Sequence, residues 1–246
     1  MAKQSGLGDN FYVGSYNVSG DIAAIGTVGG SVGVLDKTGI DKFAYERIGG
    51  LRTGVMEFTT HFNKAAGQEH IALRSLPYTD VILSYFRGTT LGNPVASMVA
   101  KQINYDGTRS DDGDLKFAVS AQSNGYGLEW GRSLTAGLRT DTTATNGTSI
   151  DTTASASFGG QAYLHVTAFT GTDVTIKIQD SADNASFADV TSFTFGSITG
   201  TTSARIALGS TDTIRRYIRV VTVTTGGFTS VTFAVNCVKN TATTQF

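Results

Sequence analysis

The chain has one cysteine, two prolines and one tryptophan in 246 residues, and only 16% of its residues are charged. A single cysteine excludes an internal disulfide framework. Cys237 sits on the alternating run Val231, Phe233, Val235, Cys237 and is expected to be a buried small hydrophobe. No run of 18 apolar residues occurs, so nothing reads as a membrane-spanning helix. The opening MAKQSGLGDN has no apolar core and is not expected to be a signal peptide, which predicts synthesis and folding in a cytoplasm. A net charge of −1 supplies no basic footprint for gripping nucleic acid. It is compatible with a conduit for DNA, because a basic wall would hold the phosphates.

Glycine, threonine, serine and alanine fill the space that charge and proline leave. With 40% hydrophobic residues the chain is globular in composition, and its length suits one large or two small domains. Strands joined by tight turns, with hydroxyls on the wet faces, are the expected outcome. The sharpest strand signal begins at Val55. Met56, Phe58, Thr60 and Phe62 fall on one face; Val55, Glu57, Thr59 and His61 fall on the other. Before it, Asp36, Lys37, Asp41, Lys42, Glu46, Arg47 and Arg52 mix both signs among Gly39, Gly49 and Gly50. That pattern predicts a charged docking loop facing water or a partner subunit.

Elsewhere, residues 1–10 read as a polar arm and Phe11–Val18 as a strand pair or bent strand. Ile22–Gly33, with Gly26, Gly29, Gly30 and Gly33, reads as a loop. Asn63–Pro77 predicts the one helix, capped by Asn63 and burying Ile71, Leu73 and Leu76. Strands are expected at Val81–Arg87, Val95–Tyr105, Leu115–Ala121 and Tyr126–Leu134, with Leu115, Phe117, Val119, Tyr126, Leu128 and Trp130 pointing inward. Thr140–Thr153 has almost no large apolar residue and reads as a linker. It would separate a β domain over 11–139 from a second all-β sandwich over 154–240, with a short tail at 241–246.

The motifs that might carry chemistry resolve into structural ones. Gly29–Gly33 matches G-x-S-x-G, but a nucleophile elbow needs a sharp strand-to-helix turn that this stretch does not predict. His61, His70 and His165 share no metal-site spacing and are expected at surfaces or interfaces. Asp106, Asp111, Asp112 and Asp114 lack the glutamate of an EF-hand and predict a solvated hairpin tip, as does the stretch 180–189. Arg215, Arg216 and Arg219 are expected to pair with acids or guard a sheet edge. No catalytic group, cofactor or metal site is expected, and the chain does not read as an enzyme.

One resemblance rests on Asp36-x-Thr38-Gly39-Ile40-Asp41-Lys42, Tyr45-Glu46-Arg47-Ile48-Gly49-Gly50-Leu51-Arg52, Glu57-Phe58 and Phe62-Asn63, with GDNFYVGSYNVSGDI before them. Over residues 6–135 this pattern resembles the major tail tube protein of long-tailed bacteriophages. The resemblance implies a mainly β fold: a tail-tube-type β-sandwich or barrel domain with one short helix, followed by a second all-β sandwich. It further implies hexameric rings, closed by a shared inner β-barrel and stacked into a tube that conducts the genome without binding it specifically. The implied setting is the virion, with no membrane, and the implied partners are further copies of the chain and the tape measure, terminator and distal tail proteins. Asp36, Lys37, Asp41, Lys42, Glu46, Arg47 and Arg52 would then dock neighbouring rings, and an arm containing Lys3 and Asp9 would order on assembly. The second unit resembles immunoglobulin-like or carbohydrate-binding-like modules, but it has no aromatic cluster for sugar stacking, so decoration or stabilisation is its expected role. A decoration or terminator subunit, and a host-glycan-binding module, are the other classes this composition fits.

Overall fold

A computed structural model describes residues 5–224 and 226–243. In chain order its elements are β1 (Asn10–Val13), β2 (Tyr16–Asn17), β3 (Ile22–Asp36), β4 (Arg47–His61), α1 (Glu69–Leu73), β5 (Val81–Phe86), β6 (Pro94–Gln102), β7 (Asp106–Arg109), β8 (Leu115–Ser123) and β9 (Glu129–Ser133). There follow β10 (Arg139–Asp141), β11 (Ile150–Asp151), β12 (Gly160–Gly171), β13 (Val174–Ser181), β14 (Ala188–Ile198), β15 (Thr202–Ala207), β16 (Tyr217–Val223) and β17 (Phe228–Lys239). The chain is mainly β, and every strand pairing is antiparallel.

Two hydrophobic cores divide the chain between Leu128 and Leu134. The first gathers Phe11, Met56, Phe58, Leu83, Met98 and Leu128; the second gathers Leu164, Ile176, Phe193, Phe195, Ile218 and Phe233. The second core lies between the β10, β12, β15, β17 portion of a large sheet and a smaller sheet ordered β11-β16-β13-β14. Hydrogen bonding nevertheless runs unbroken between the two halves, because β9 pairs β6 on one side and β17 on the other.

The seam where β5 and β6 meet β12 and β17 combines two small apolar clusters, Phe86, Val95 and Ala234 with Tyr12, and Ile82, Val99 and Val238 with Tyr163, with buried polar groups. His165, fully buried, donates from Nδ1 to the Gly14 carbonyl at 2.6 Å, so its Nε2 accepts from the Ser84 hydroxyl at 2.7 Å. Burial without a counter-charge holds its pKa down at about 4, so the ring is neutral. Beside it Arg205 reaches Glu129 at 3.0 Å, lies 3.7 Å from the Tyr126 ring centroid, and is bonded with Glu129 to the Tyr163 hydroxyl. Seams made of paired charges fix register more than they add stability.

Several expectations need correcting. Ile22–Gly33 is no loop but the first part of β3, laddered against β4 from Ile22↔Thr60 to Asp36↔Arg47. Its glycines permit close approach: a Cβ on Gly30 would stand 2.7 Å from the Thr53 carbonyl, and one on Gly54 would stand 2.6 Å from the Leu128 nitrogen. The helix is five residues long, from Glu69. Asn63 accepts from the Ala65 amide in a local turn and donates to Asp21, while Gly67 at φ +79 delays the start. Leu73 alone of the three expected residues is fully buried; Leu76 turns out at φ 41 and is 43% exposed.

Strand β9 reverses the expected faces. Glu129 points in to meet Arg205, which sends Trp130 outward. Thr140–Thr153, expected as a linker, contributes β10 and β11 and is bonded at Thr145 and Gly147 to Thr222 and Val220. Backbone pairing holds the segment there together with Asp141, which accepts from Arg139 and Thr222, and with Ile150, which joins the second core.

Candidate functional site: an exposed β-ribbon

Beyond Gly54 the hairpin of β3 and β4 leaves the fold. Strand β4 pairs β8 only from Val55 to His61, so between Arg47 and Gly54 the ribbon has two strands and no third. Its root is clamped: the Gly54 amide donates to Ser123 Oγ at 2.7 Å, and Leu128 sits against Gly30 and Gly54. Its far part is exposed on both faces, from Ser31 through Gly49.

The charged residues expected to dock neighbours all lie on this ribbon. Asp36 and Arg47 face each other as the last ladder pair, Lys37, Asp41, Lys42 and Glu46 form the tip, and Arg52 pairs with Val32 nearer the root. Much of their bonding stays within the ribbon. Asp36 accepts from the Thr38 amide at 2.9 Å and from its hydroxyl at 2.5 Å, and these bonds hold its carboxyl below the ordinary range. Lys42 lies 3.5 Å from Glu46 and 3.7 Å from Asp41, and Arg47 covers the Tyr45 ring at 4.6 Å. Exposed pairs of this kind stabilise little.

What lacks a partner is apolar. Ile40 and Phe43 are fully exposed, and Tyr45 and Leu51 nearly so, with Val32, Val34, Leu35 and Ile48 about half exposed. Large apolar side chains gathered in exposed positions on one projecting element are unusual on a surface, and aromatic and aliphatic tips are the kind of group that fills a partner's pocket. Reading the segment by its charge overlooked them. The signal was present in Ile40, Phe43 and Tyr45, large apolar residues set among lysines and acids where a solvated loop would carry none.

The remaining candidates have structural roles. Lys3 falls outside the described residues. Asp9 belongs to the fold: it accepts from the Tyr85 hydroxyl and lies 3.4 Å from Arg87, and β1 starts at the next residue. Gly29–Gly33 runs along β3 in antiparallel ladder, which leaves Ser31 on no strand-to-helix turn. His61 lies 3.5 Å from Asp114, and His70 is 3.0 Å from the Tyr105 hydroxyl. Arg215 pairs with Asp180 and Arg216 with Asp151, while Arg219 binds Gln179. Among the described residues no three His, Cys, Asp or Glu side chains gather as metal ligands, and no helix is long and apolar enough to cross a membrane.

Fold and surface thus define a mainly β protein that carries an apolar ribbon outside its own cores. No protein-family model and no curated protein matches the sequence. Among solved structures the chain is similar to a protein of the native gene transfer agent virion, at 13% identity and TM-score 0.43, over 52% of this chain and 98% of that one. It is similar to a protein in the tail of the empty gene transfer agent particle, at 13% identity and TM-score 0.37, over 45% of this chain and 81% of that one. It is also similar to the SPP1 Dit protein, from a hub adsorption apparatus in phages infecting Gram-positive hosts, at 11% identity and TM-score 0.31, over 94% of this chain and 99% of that one.

Proposed function

We propose that this chain is a structural subunit of a phage-type tail tube, which assembles with copies of itself into hexameric rings stacked as a conduit for DNA. One observation carries the reading: a two-stranded ribbon whose Ile40 and Phe43 are fully exposed, with no described residue covering them. A second copy is the occupant we assign, with the ribbon crossing to the neighbouring ring and its tip filling an apolar pocket there. The free edge of β3 supports this, since an unpaired edge is a template for a strand from a neighbour. Net charge near zero suits a wall that DNA must slide past. The tape measure, terminator and distal tail proteins are the further partners of such a tube.

Negative-stain microscopy of the purified protein across concentrations tests the reading. The expected particles are rings or tubes with a central hole of roughly 20 Å or more, the width that intact duplex DNA with its grooves requires. Monomers at every concentration would overturn it.

A further inference from the structure

A recess of about 380 Å3, lined by no ribbon residue, opens between β9 and the segment after β11. Trp130 and Arg132 line it from β9; Thr152, Thr153 and Ser155 line it from the facing segment, with Lys239 also in the lining. Its volume lies within the range of small-molecule sites, roughly 300–1,000 Å3. Trp130 is the chain's single tryptophan and is 52% exposed. Arg132, two residues on and so on the same face of the strand, is exposed; its guanidinium makes no hydrogen bond to a described residue, although its charge acts on Asp151 across the recess.

The facing wall is held rigidly although Thr153, Ala154 and Ser155 bury nothing. Asp151 accepts from Arg216 at 2.8 and 2.6 Å and from the Thr153 amide at 2.7 Å. Lys239 Nζ donates to Thr152 Oγ1, the Ala154 carbonyl and the Arg215 carbonyl at 2.8, 2.6 and 2.8 Å. Together these bonds keep Thr153 at φ 71, a left-handed conformation that a β-branched residue seldom adopts. Such strain persists only where the surroundings over-determine it, and it gathers at ligand clamps. The charged residues that line the recess, Arg132 and Lys239, are both basic, and Asp151 behind the wall is already paired with Arg216.

We propose that this recess binds an anionic saccharide, whose sugar face lies on the Trp130 indole and whose carboxylate or phosphate is taken by Arg132. An aromatic plane suits the apolar face of a sugar ring, and a guanidinium fork suits a planar or tetrahedral oxyanion. The Ser155 hydroxyl can bond those of the sugar, and Thr153 Oγ1, which donates to the Thr152 carbonyl at 2.5 Å, is left as an acceptor, on a wall already ordered before binding. This site goes beyond the assembly role and does not depend on it.

Because Trp130 is the only tryptophan, its fluorescence reports this recess alone. The full chain is titrated with a galacturonic acid oligomer, with glucose 6-phosphate, and with maltotriose as the neutral control. A saturable change in emission is expected with an anionic sugar, with a dissociation constant on the order of 1 mM, and at least ~10-fold weaker binding of maltotriose. Whichever anionic arm saturates identifies the acidic group as a uronate or a sugar phosphate. Arg132→Gln should weaken binding by ~10-fold or more while leaving the melting temperature unchanged, as the side chain is exposed. Emission indifferent to both anionic sugars, equal affinity for the neutral one, or no effect of Arg132→Gln overturns the proposal. Emission that shifts with protein concentration instead would give the recess to a contact between copies, and would overturn it too.

Discussion

Replacing Ile40 and Phe43 together by alanine separates folding from assembly. Both side chains are fully exposed in the single chain, so their removal uncovers no core. Stability should stay within ~0.5 kcal/mol of the parent, as for surface changes remote from caps and cores. In an assembled contact the balance differs, because burying a large apolar side chain is worth about 1.5–3 kcal/mol. Two anchors lost from each contact then remove about 3–6 kcal/mol, which is on the order of 10²–10⁴-fold in the concentration needed to associate. Light scattering against protein concentration measures that threshold, and thermal unfolding measures the fold. Lys42→Ala is the comparison, since its pairs with Glu46 and Asp41 lie within one ribbon and are exposed; it should move the threshold by less than ~10-fold. Two results would refute the reasoning. One is an unchanged threshold for the double variant; the other is a melting temperature lowered by many degrees, which would place the tip inside the fold.

Three further outcomes follow from the geometry below the ribbon. His165 should make stability fall with acid: below pH 6.5 the unfolded chain takes up a proton that the folded chain refuses until about pH 4, so stability is full above 6.5 and about 3 kcal/mol is lost across that window. Denaturant unfolding at several pH values checks this, and His165→Gln should flatten that part of the profile. Gly54→Ala should cost about 1–3 kcal/mol, because the new Cβ would meet Leu128 backbone at 2.6 Å, whereas Gly33→Ala, with its nearest atom at 3.5 Å, should cost less than the clash at the root; calorimetry of the two variants tells them apart. Glu129→Gln should destabilise by about 3–5 kcal/mol by stripping the buried Arg205 of its counter-charge, while Glu129→Leu with Arg205→Met should recover most of the loss.

The elements most legible in the sequence were those whose two faces differ. In β4 the alternation of Met56, Phe58 and Thr60 with Glu57 and His61 meets one core and one open face, and the structure buries it as written. Glycine misled in β3, where Gly26 and Gly30 accommodate a neighbouring strand and an absent side chain reads as a loop. The polar part of the seam was illegible because its partners lie far apart in the chain. Nothing local to Glu129 or His165 announces a partner 76 or 81 residues away. At the ribbon the charges drew the reading, although Ile40, Phe43 and Tyr45 stand among them in the sequence, and the structure shows that the chain does not fold back over Ile40 and Phe43.

That failure to fold back explains the composition of the ribbon. A two-stranded hairpin in water is marginal, since each strand leaves one edge of amides and carbonyls unpaired and there is no third layer to bury side chains. Filling it with Val32, Val34, Leu35, Ile48 and Leu51 would make it an aggregation site if nothing opposed lateral pairing. The charges oppose it. Lys37, Lys42, Arg47 and Arg52 alternate with Asp36, Asp41 and Glu46, so an arbitrary strand laid along the edge sets like charges side by side, and only one register and one partner surface escape that penalty. Charge then selects the contact and the apolar residues supply its energy. The clamp at Gly30, Gly54 and Leu128 fixes the direction in which the ribbon leaves the fold. On the proposed reading, a ribbon aimed from its root, selective along its length and adhesive at its tip is what a contact with another copy of the same chain requires.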